Sequence, residues 1–284
     1  MFNKDYPYKS SGSKTMRISF SKLAKRLKDK FNPKFIIEIG SNDGAFIKNF
    51  NKDKVVGVEP CKNLALITQK KKYQIYPSFW NIELAKKITK NKKADLIYSA
   101  NTLSHIKNFN EIFKAIKYSL SSKGILVLED PSLLECLKKV AYDQFYCEHL
   151  YVFSTISLQK ILDKFDLEIF DIENISTHGG SNRYFIKKKQ NKFYNTKKKV
   201  KDEINKELRY GLNNFATYKR FARKVKLSKI KLLNIFRKIK NQKKKIVGYG
   251  ATAKSCTVLN YCGITKENIE YFYDTTSYKI NKYL

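Results

Sequence analysis

The chain has 284 residues, of which 42% are hydrophobic and 29% charged, so it is long enough for one large domain or two smaller ones with a buried core. It contains no run of about 18 apolar residues, and its N-terminus lacks the apolar segment of a signal peptide, which predicts a soluble cytoplasmic protein. The five cysteines are scattered without a Cys-x-x-Cys pair, so a secreted disulfide scaffold is excluded and free thiols are expected.

The charge balance is strongly basic, with 58 Lys and Arg against 25 Asp and Glu and a formal net charge of +33. Clustered basic residues attract a nucleic-acid backbone through counterion release. Most of this charge, however, is lysine rather than arginine, and it is spread through short runs in predicted loops and solvent faces, among them 70–72, 187–189, 197–199 and 243–245. The distribution favours a solvated surface over a nucleic-acid site. The charge would also attract an anionic substrate such as a nucleotide diphosphate.

Strand and helix patterns alternate along the first two thirds of the chain. The predicted strands are 35–40, 54–59, 73–77, 94–100, 124–130, 167–175 and 182–188, and the predicted helices include 21–30, 83–90, 109–119 and 157–165. Such alternation is typical of a parallel sheet with helices on both faces. Gly179 and Gly180 separate the last two strands, which predicts a closing antiparallel hairpin at the edge of an α/β seven-stranded sheet.

The remaining third is predicted to hold connecting helices and a second strand–turn–helix. Residues 191–240 are rich in lysine, with apolar residues at helical spacing. Gly248-x-Gly250-x-x-Ala253 follows, and Asp274 ends the next apolar run, which is a fair dinucleotide-binding pattern. One βαβ unit cannot bury its own sheet. We therefore expect a Rossmann-like domain at 1–190, a helical connector at 191–244 and a partial Rossmann-like domain at 245–284.

The first glycine turn carries the clearest chemical signal. The apolar run 35–39 ends at Gly40, a helix-compatible stretch follows Gly44, and the next apolar run closes on Glu59 about 20 residues later. Glycines let the backbone approach a ligand, and the acid can accept both hydroxyls of a ribose. The Gly-x-x-x-Gly spacing differs from the turn that holds a pyrophosphate, and S-adenosylmethionine has no phosphate, so a methyltransferase is favoured over a dehydrogenase. An ordinary strand–turn–helix without a ligand is the alternative.

A second polar segment lies after the fifth strand, beginning with Glu129-Asp130-Pro131 and continuing through 143–151. In a sheet of this type the substrate binds at the carboxyl ends of the strands. His149 is a candidate general base because imidazole titrates near neutrality, and Glu148 or Tyr146 could orient it or stabilise an oxyanion. A core histidine with a satisfied hydrogen bond fits the spacing equally well.

Six segments together resemble those of a known family. They are 6–11 (Tyr-Pro-Tyr-Lys-Ser-Ser), 38–44 (Glu-Ile-Gly-Ser-Asn-Asp-Gly), 100–105 (Ala-Asn-Thr-Leu-Ser-His), 145–150 (Phe-Tyr-Cys-Glu-His-Leu), 177–183 (Thr-His-Gly-Gly-Ser-Asn-Arg) and 248–254 (Gly-Tyr-Gly-Ala-Thr-Ala-Lys). The chain resembles, nearly end to end, the S-adenosylmethionine-dependent sugar C-methyltransferases, which add a branch methyl to nucleotide-linked 4-keto-deoxyhexoses. By comparison with that family, we expect the chain to lack the N-terminal four-cysteine zinc module and the end of the C-terminal domain.

The resemblance implies a class I methyltransferase fold, S-adenosylmethionine as cofactor, no metal and a nucleotide-sugar substrate. His149 would take a proton from the carbon beside a ketone to give an enolate, which accepts the methyl group. The implied catalytic residues are His149, Tyr146, Glu148 and Tyr8, with Tyr6 a weaker candidate. The cofactor residues are Glu38, Gly40, Ser41, Asn42, Asp43, Gly44, Glu59 and Asn101. The substrate residues are His178, Gly179, Gly180, Ser181 and Arg183.

Several alternatives stay open at the level of sequence. The same base could deprotonate a hydroxyl in an O-methyltransferase, the Gly248/Gly250/Asp274 pattern could serve an NAD-dependent oxidoreductase, and the chain could be an inactive remnant. Gly179 and Gly180 could form only a turn, and Arg183 could be only a strand-edge charge. His105 fits helix packing as well as a site, and Phe79 and Trp80 fit core packing better than an adenine contact.

Overall fold

The fold is described from a computed structural model, over residues 6–276 and 279–282. The strands of the main sheet are β1 (Ile36–Ile39), β2 (Val55–Val58), β3 (Gln74–Tyr76), β4 (Ala94–Ala100), β5 (Leu120–Pro131), β6 (Leu167–Ile175) and β7 (Ser181–Lys188). They lie in the order β3-β2-β1-β4-β5-β7-β6. The first five run parallel, and β7 is antiparallel to both β5 and β6. The predicted seven-stranded α/β sheet with an antiparallel hairpin at its edge is confirmed.

Helices cover both faces of this sheet. The helices in the described part of the chain are α1 (Lys14–Phe31), α2 (Lys62–Gln69), α3 (Ile82–Ile88), α4 (Phe109–Ser119), α5 (Leu133–Lys139), α6 (Thr155–Asp163), α7 (Lys198–Tyr210), α8 (Phe215–Asn241) and α9 (Ala253–Cys262). Side chains alternate between the faces of each strand. In β4, Ile97 packs in one apolar cluster with Phe113 of α4, whereas Leu96 and Tyr98 pack in the other with Leu23 of α1. The two apolar layers hold the strand ends in fixed positions.

The stretch after the first glycine turn differs from the helix-compatible segment expected there. Residues 45–54 form two short 3₁₀ turns, Ile47–Asn49 and Lys52–Lys54. The Asn49 amide donates to the carbonyls of Ala45 at 3.2 Å and Phe46 at 2.8 Å. A side chain that bonds nearby carbonyls competes with α-helical hydrogen bonds. The turn at 40–44 is therefore not followed by an α-helix.

The C-terminal part contains a small parallel pair, β8 (Gly248–Tyr249) and β9 (Phe272–Tyr273), joined through α9. Helices α7 and α8 occupy the predicted connector, and the three-domain division remains a prediction. The hydroxyl of Tyr142 lies 3.7 Å from the Cys262 sulfur, so α9 packs on the 3₁₀ turn Tyr142–Gln144. No helix in the described part of the chain combines the length and apolarity needed to cross a membrane.

Candidate active site

A cavity of about 370 Å³ opens at the carboxyl ends of β1, β2 and β4. This volume lies within the range of ordinary small-molecule sites. Its lining includes the predicted cofactor residues Glu38, Gly40, Ser41, Asn42, Glu59 and Asn101. The two other predicted residues, Asp43 and Gly44, do not line it. The sheet thus brings most of the predicted cofactor residues to one wall, although they come from three separate strand ends.

Both glycines of the first turn adopt a backbone conformation that other residues avoid. Gly40 has φ +74° and Gly44 has φ +78°. A Cβ on Gly40 would lie 2.2 Å from the Thr102 hydroxyl oxygen, and one on Gly44 would lie 2.7 Å from the Thr68 methyl carbon. A side chain at either position would clash and strain the turn. Gly40 therefore allows the loop after β4 to close against the turn beside the cavity.

Glu59 is fixed at the cavity wall by backbone groups. Its Oε2 accepts a hydrogen bond from the Asn42 N–H at 2.7 Å, and its Oε1 accepts one from the Cys61 N–H at 2.8 Å. Burial raises the pKa of Glu59, and these two N–H donors partly oppose the rise. Each carboxylate oxygen can accept more than one hydrogen bond. The side chain is thus held in place and can still accept hydroxyl groups from a ligand.

Glu38 is a buried acid with an unpaired oxygen. It is 5% exposed, it lines the cavity, and its Oε2 has no hydrogen-bond partner among the described residues. Burial raises the pKa of Glu38 well above its usual value. An unpaired buried carboxyl is costly, and a cationic or hydrogen-bond-donating ligand group would reduce that cost.

The N-terminal segment (residues 6–13) crosses the first turn and covers one side of the cavity. The Ser10 N–H donates to Asn42 Oδ1 at 2.9 Å, and the Ser11 N–H donates to Asp43 Oδ1 at 3.1 Å. The Asn42 amide in turn donates to the Tyr8 carbonyl at 3.1 Å. Asp43, predicted to contact the cofactor, therefore anchors this segment, which carries Tyr8 to the cavity wall.

All three histidines of the chain meet at this edge of the sheet, although they are far apart in sequence. His105 and His178 line the cavity. The rings of His105 and His149 are 5.0 Å apart between centroids. His178 has a buried Nε2 without a hydrogen-bond partner among the described residues. The described residues hold no group of three or more His, Cys, Asp or Glu suited to bind a metal ion.

The hydrogen bonds of His149 fix its tautomer. Its Nδ1 lies 2.8 Å from the Gln144 carbonyl, which can only accept, so Nδ1 carries the proton. Its Nε2 lies 2.9 Å from the Tyr146 hydroxyl and accepts from it. The pKa of His149 falls to about 4, chiefly through burial, with smaller contributions from His105 and Lys254. His149 is thus a neutral imidazole whose basic nitrogen faces Tyr146, and the pair lies beside the cavity rather than in its lining.

Glu148 is held by the N-terminal segment. Its Oε2 accepts a hydrogen bond from the Tyr6 hydroxyl at 3.1 Å. Burial and the Glu148 charge raise the pKa of Tyr6, so the phenol keeps its proton. The predicted residues Tyr146, Glu148 and His149 are therefore together in space with Tyr6, which sequence reasoning rated a weak candidate.

The predicted substrate residues 178–181 form the bend between β6 and β7. The Gln144 amide donates to the His178 carbonyl at 2.7 Å, and the Ser132 N–H donates to the Gly180 carbonyl at 3.1 Å. Gly179 and Gly180 have φ +85° and +125°. His178 reaches the cavity, whereas the glycines and Ser181 do not line it.

Arg183 lies away from the cavity. Its side chain is 8% exposed and donates to Glu129 at 2.6 Å and to Glu173 at 3.0 Å. The pairs join β7 to both neighbouring strands, β5 and β6. This position matches the strand-charge alternative better than a ligand contact.

Several residues that line the cavity are not among the predicted site residues. Phe79 and Trp80 line the cavity, and Phe79 is 60% exposed, which is unusual for a phenylalanine in a core. Thr102 and His105 line it from the loop after β4. Both residues follow a predicted strand closely, which is where ligand-binding residues of such a sheet lie. The pattern of the following helix explains their presence equally well, so the sequence alone does not assign them to the site.

The second glycine turn differs from the first in what its acid binds. The Asp274 carboxylate accepts from the Ala251 N–H at 2.9 Å and pairs with Lys279 at 3.3 Å. The Thr276 hydroxyl and these donors lower the pKa of Asp274 to about 2. A shallow cavity of about 380 Å³ beside this turn is lined by residues that include Asp143, Gly250 and Lys254.

The chain is similar in sequence to known proteins. A sequence profile described as a C-methyltransferase C-terminal domain matches residues 176–284. The C-methyltransferase NovU of Streptomyces niveus is 28% identical over 252 residues, which is 88% of this chain and 60% of that protein. The chain therefore spans about three fifths of the length of this curated relative.

The solved structures found to be similar include an S-adenosylmethionine-dependent methyltransferase from Clostridium acetobutylicum, at 14% identity and TM-score 0.45, covering 60% of this chain and 91% of that one. The CcbJ methyltransferase from Streptomyces caelestis has 11% identity and TM-score 0.46, covering 60% and 89%. A further profile, described as a methyltransferase domain, matches residues 13–172, more than half of the chain. The chain thus belongs to the methyltransferase domain family.

Proposed function

We propose that this chain is an S-adenosylmethionine-dependent methyltransferase that methylates a carbon of a nucleotide-linked keto-deoxysugar, with His149 as the base. The observation that carries the proposal is the fixed tautomer of His149, whose basic Nε2 faces Tyr146 and whose ring lies 5.0 Å from that of the cavity residue His105. We call the cluster of Tyr6, Tyr146, Glu148 and His149 the acceptor side. Family membership and the similarity to a C-methyltransferase support it.

The cavity fits the proposed cofactor. The fixed carboxylate of Glu59 suits the two hydroxyls of a ribose, and the unpaired carboxyl of Glu38 suits the ammonium group of an amino acid. Phe79 and Trp80 offer apolar surface for a purine ring. S-adenosylmethionine supplies an electrophilic methyl group on a sulfonium ion. No lining residue needs to act as a nucleophile toward it.

The acceptor side is built for proton removal. A ketone acidifies the C–H bond next to it, and a neutral imidazole can take that proton. The Nδ1–H of His149 is tied to Gln144, so only Nε2 can receive it, and the Tyr146 hydroxyl stands at that atom. The proton therefore reaches Nε2 from the side on which the Tyr146 hydroxyl lies. The same hydroxyl holds the imidazole ring of His149 in place. Glu148, fixed by Tyr6, provides an acceptor for a sugar hydroxyl.

An O-methyltransferase would use the same base on a hydroxyl. The product distinguishes the two functions, since a methyl on carbon and a methyl on oxygen have different ¹³C shifts. The purified chain would be incubated with S-adenosylmethionine carrying a ¹³C methyl and with a dTDP-linked 4-keto-6-deoxyhexose. We expect a C-methyl product and none with His149→Ala. An O-methyl product would establish the alternative, and a chain that binds the cofactor but methylates no 4-keto sugar would refute this acceptor class.

A further inference from the structure

The C-terminal part of the chain reaches the acceptor side through the 3₁₀ turn Tyr142–Gln144. The ring of Tyr142 packs on Tyr261 of α9 with 5.4 Å between centroids, and its hydroxyl contacts the Cys262 sulfur at 3.7 Å. Lys229 of α8 donates to the Tyr261 carbonyl at 2.8 Å. These contacts place α9 beside the turn that carries Gln144.

The same turn holds two of the three histidines. The Gln144 carbonyl accepts from His149 Nδ1 at 2.8 Å, and the Gln144 amide donates to the His178 carbonyl at 2.7 Å. Gln144 is 3% exposed, so its two contacts are well defined. Any charge that α9 presents to this turn therefore lies close to both His149 and His178.

Lys254 is the charge that α9 presents there. It lies in the first turn of α9, is partly buried, and lines the shallow cavity together with Asp143 of the 142–144 turn. Among the described residues it forms no hydrogen bond or ion pair. Burial lowers the pKa of Lys254, and the nearby Asp143 carboxylate partly opposes this fall. A partly buried ammonium group without a fixed partner is free to meet an anion.

We propose that Lys254 is the cation of the acceptor site and stabilises the negative charge that develops on the acceptor when His149 removes a proton. The inference rests on the proposed function and deepens it, because it makes the C-terminal segment part of the reaction site. Lys139 is a second cation near Gln144, but its ammonium group is bound to the Gly179 carbonyl and pairs with Glu135.

The step is balanced without a further reactant. The acceptor C–H bond breaks, its proton goes to Nε2 of His149, and its electron pair moves to the carbonyl oxygen to give an enolate. The enolate carbon then forms the new C–C bond with the methyl group of the proposed donor, and the S–CH₃ bond breaks. The proton on His149 leaves to solvent. A nearby ammonium group lowers the energy of the enolate oxygen by direct electrostatic attraction.

Electrostatics of the free protein support this placement. Burial is the main cause that lowers the pKa of His149 and of His178 to about 4, and the Lys254 charge adds to it at both histidines. Burial also lowers the pKa of His105, but Lys254 does not contribute there. The positive charge of Lys254 opposes protonation of the two histidines, and the same charge would attract the negative enolate oxygen of the acceptor.

The test uses Lys254→Met and, as a matched control, Lys266→Met, an exposed lysine beyond the far end of α9. Because the chain has three histidines, NMR titration resolves each one. We expect Lys254→Met to raise the pKa of His149 and His178 by roughly 0.5 or more and to leave His105 unchanged. Lys266→Met should change none of them.

The chemical arm measures solvent-deuterium exchange at the acceptor carbon of a dTDP-linked 4-keto-6-deoxyhexose with S-adenosylhomocysteine present. We expect Lys254→Met to slow exchange about tenfold or more with unchanged cofactor affinity, and Lys254→Arg to restore part of the rate. Unchanged histidine titrations, or exchange at the wild-type rate, would overturn the inference. Absence of exchange in the wild type would refute the proposed acceptor and, with it, the role of Lys254 in the reaction. The titrations would then test only whether Lys254 lies close to His149 and His178.

Discussion

The backbone N–H of Asn42 donates to the Glu59 carboxylate across 2.7 Å, so the acid that follows the second strand is bonded to the turn that follows the first. The glycine turn and the ribose-type acid therefore form one unit. Ala251 and Asp274 make the same kind of contact at 2.9 Å in the C-terminal segment. There the acid is also paired with Lys279, whereas Glu59 has no cationic partner among the ion pairs of the described residues.

Glu59→Gln should weaken binding of S-adenosylmethionine roughly 10- to 100-fold. The amide removes the charge and places an NH₂ group against one of the two N–H donors, which costs about 1.5–3 kcal/mol. Calorimetry measures the dissociation constant, with the exposed Glu83→Gln as control. Equal affinity in the two variants would show that Glu59 does not bind the cofactor.

Tyr146→Phe should lower kcat roughly 10- to 100-fold and leave cofactor affinity unchanged, because it removes the hydroxyl that stands at Nε2 of His149. His149→Ala should lower kcat further. Since the pKa of His149 is about 4, its basic form persists from pH 8 down to pH 6, so this group should cause no loss of kcat in that range. A wild-type rate in Tyr146→Phe would place the proton path elsewhere.

The strands could be predicted from the sequence because each is a short apolar run bounded by turn residues. The stretch 45–54 could not, since its 3₁₀ turns accompany the Asn49 hydrogen bonds and the stacking of Phe46 on Tyr98, 52 residues away, with 3.8 Å between ring centroids. α1 extends from residue 14 rather than from the predicted 21, because Ser13 caps it by accepting from the Met16 N–H at 3.3 Å.

The conformation of the turn at 40–44 was predictable because its residues are contiguous; its contact with a cofactor remains a prediction. The acceptor side was harder to predict, because Tyr6, His149 and the neighbouring His105 and His178 are far apart in sequence and only the fold brings them together. The contact of Tyr6 with Glu148 joins residues 142 positions apart. The role of Asp43 as an anchor depends on the path of residues 10 and 11, which no local pattern encodes.

Arg183→Met should destabilise the fold by about 3–5 kcal/mol, because it leaves Glu129, 2% exposed, as a buried charge without its partner. Denaturant unfolding measures the loss. Adding Glu129→Gln should recover part of it by removing the unpaired charge. If Arg183→Met instead kept wild-type stability and raised the KM for the acceptor, Arg183 would contact the sugar, as the sequence predicts, and would not be needed for stability.

Asp130→Asn should stabilise the protein more at pH 8 than at pH 5.5. Burial raises the pKa of Asp130 to about 7, and neither carboxyl oxygen has a hydrogen-bond partner among the described residues, although Ser104 lies near enough to oppose the rise. The folded state therefore keeps a proton that the unfolded state loses near pH 4, and folding stability from this group is lost as pH rises toward 7. The neutral amide removes that loss, by at most about 4 kcal/mol. Equal stabilisation at both pH values in urea unfolding would contradict the raised pKa.

Asp43→Asn should loosen the N-terminal segment from the cavity. The carboxylate accepts from both the N–H and the hydroxyl of Ser11, and hydrogen bonds to a charged group are worth about 1.5–3 kcal/mol each. Tryptic cleavage after Lys9, which is exposed, should then be roughly 10-fold faster or more, since proteolysis follows the population of the opened state. Asp53→Asn, at an exposed acid in the 52–54 turn, is the matched control. S-adenosylmethionine should slow cleavage of the wild type, because Tyr8 and Ser10 of this segment line the cavity that would hold it. If Asp43→Asn were cleaved at the control rate, Asp43 would not anchor the segment and a direct contact with the cofactor would regain support.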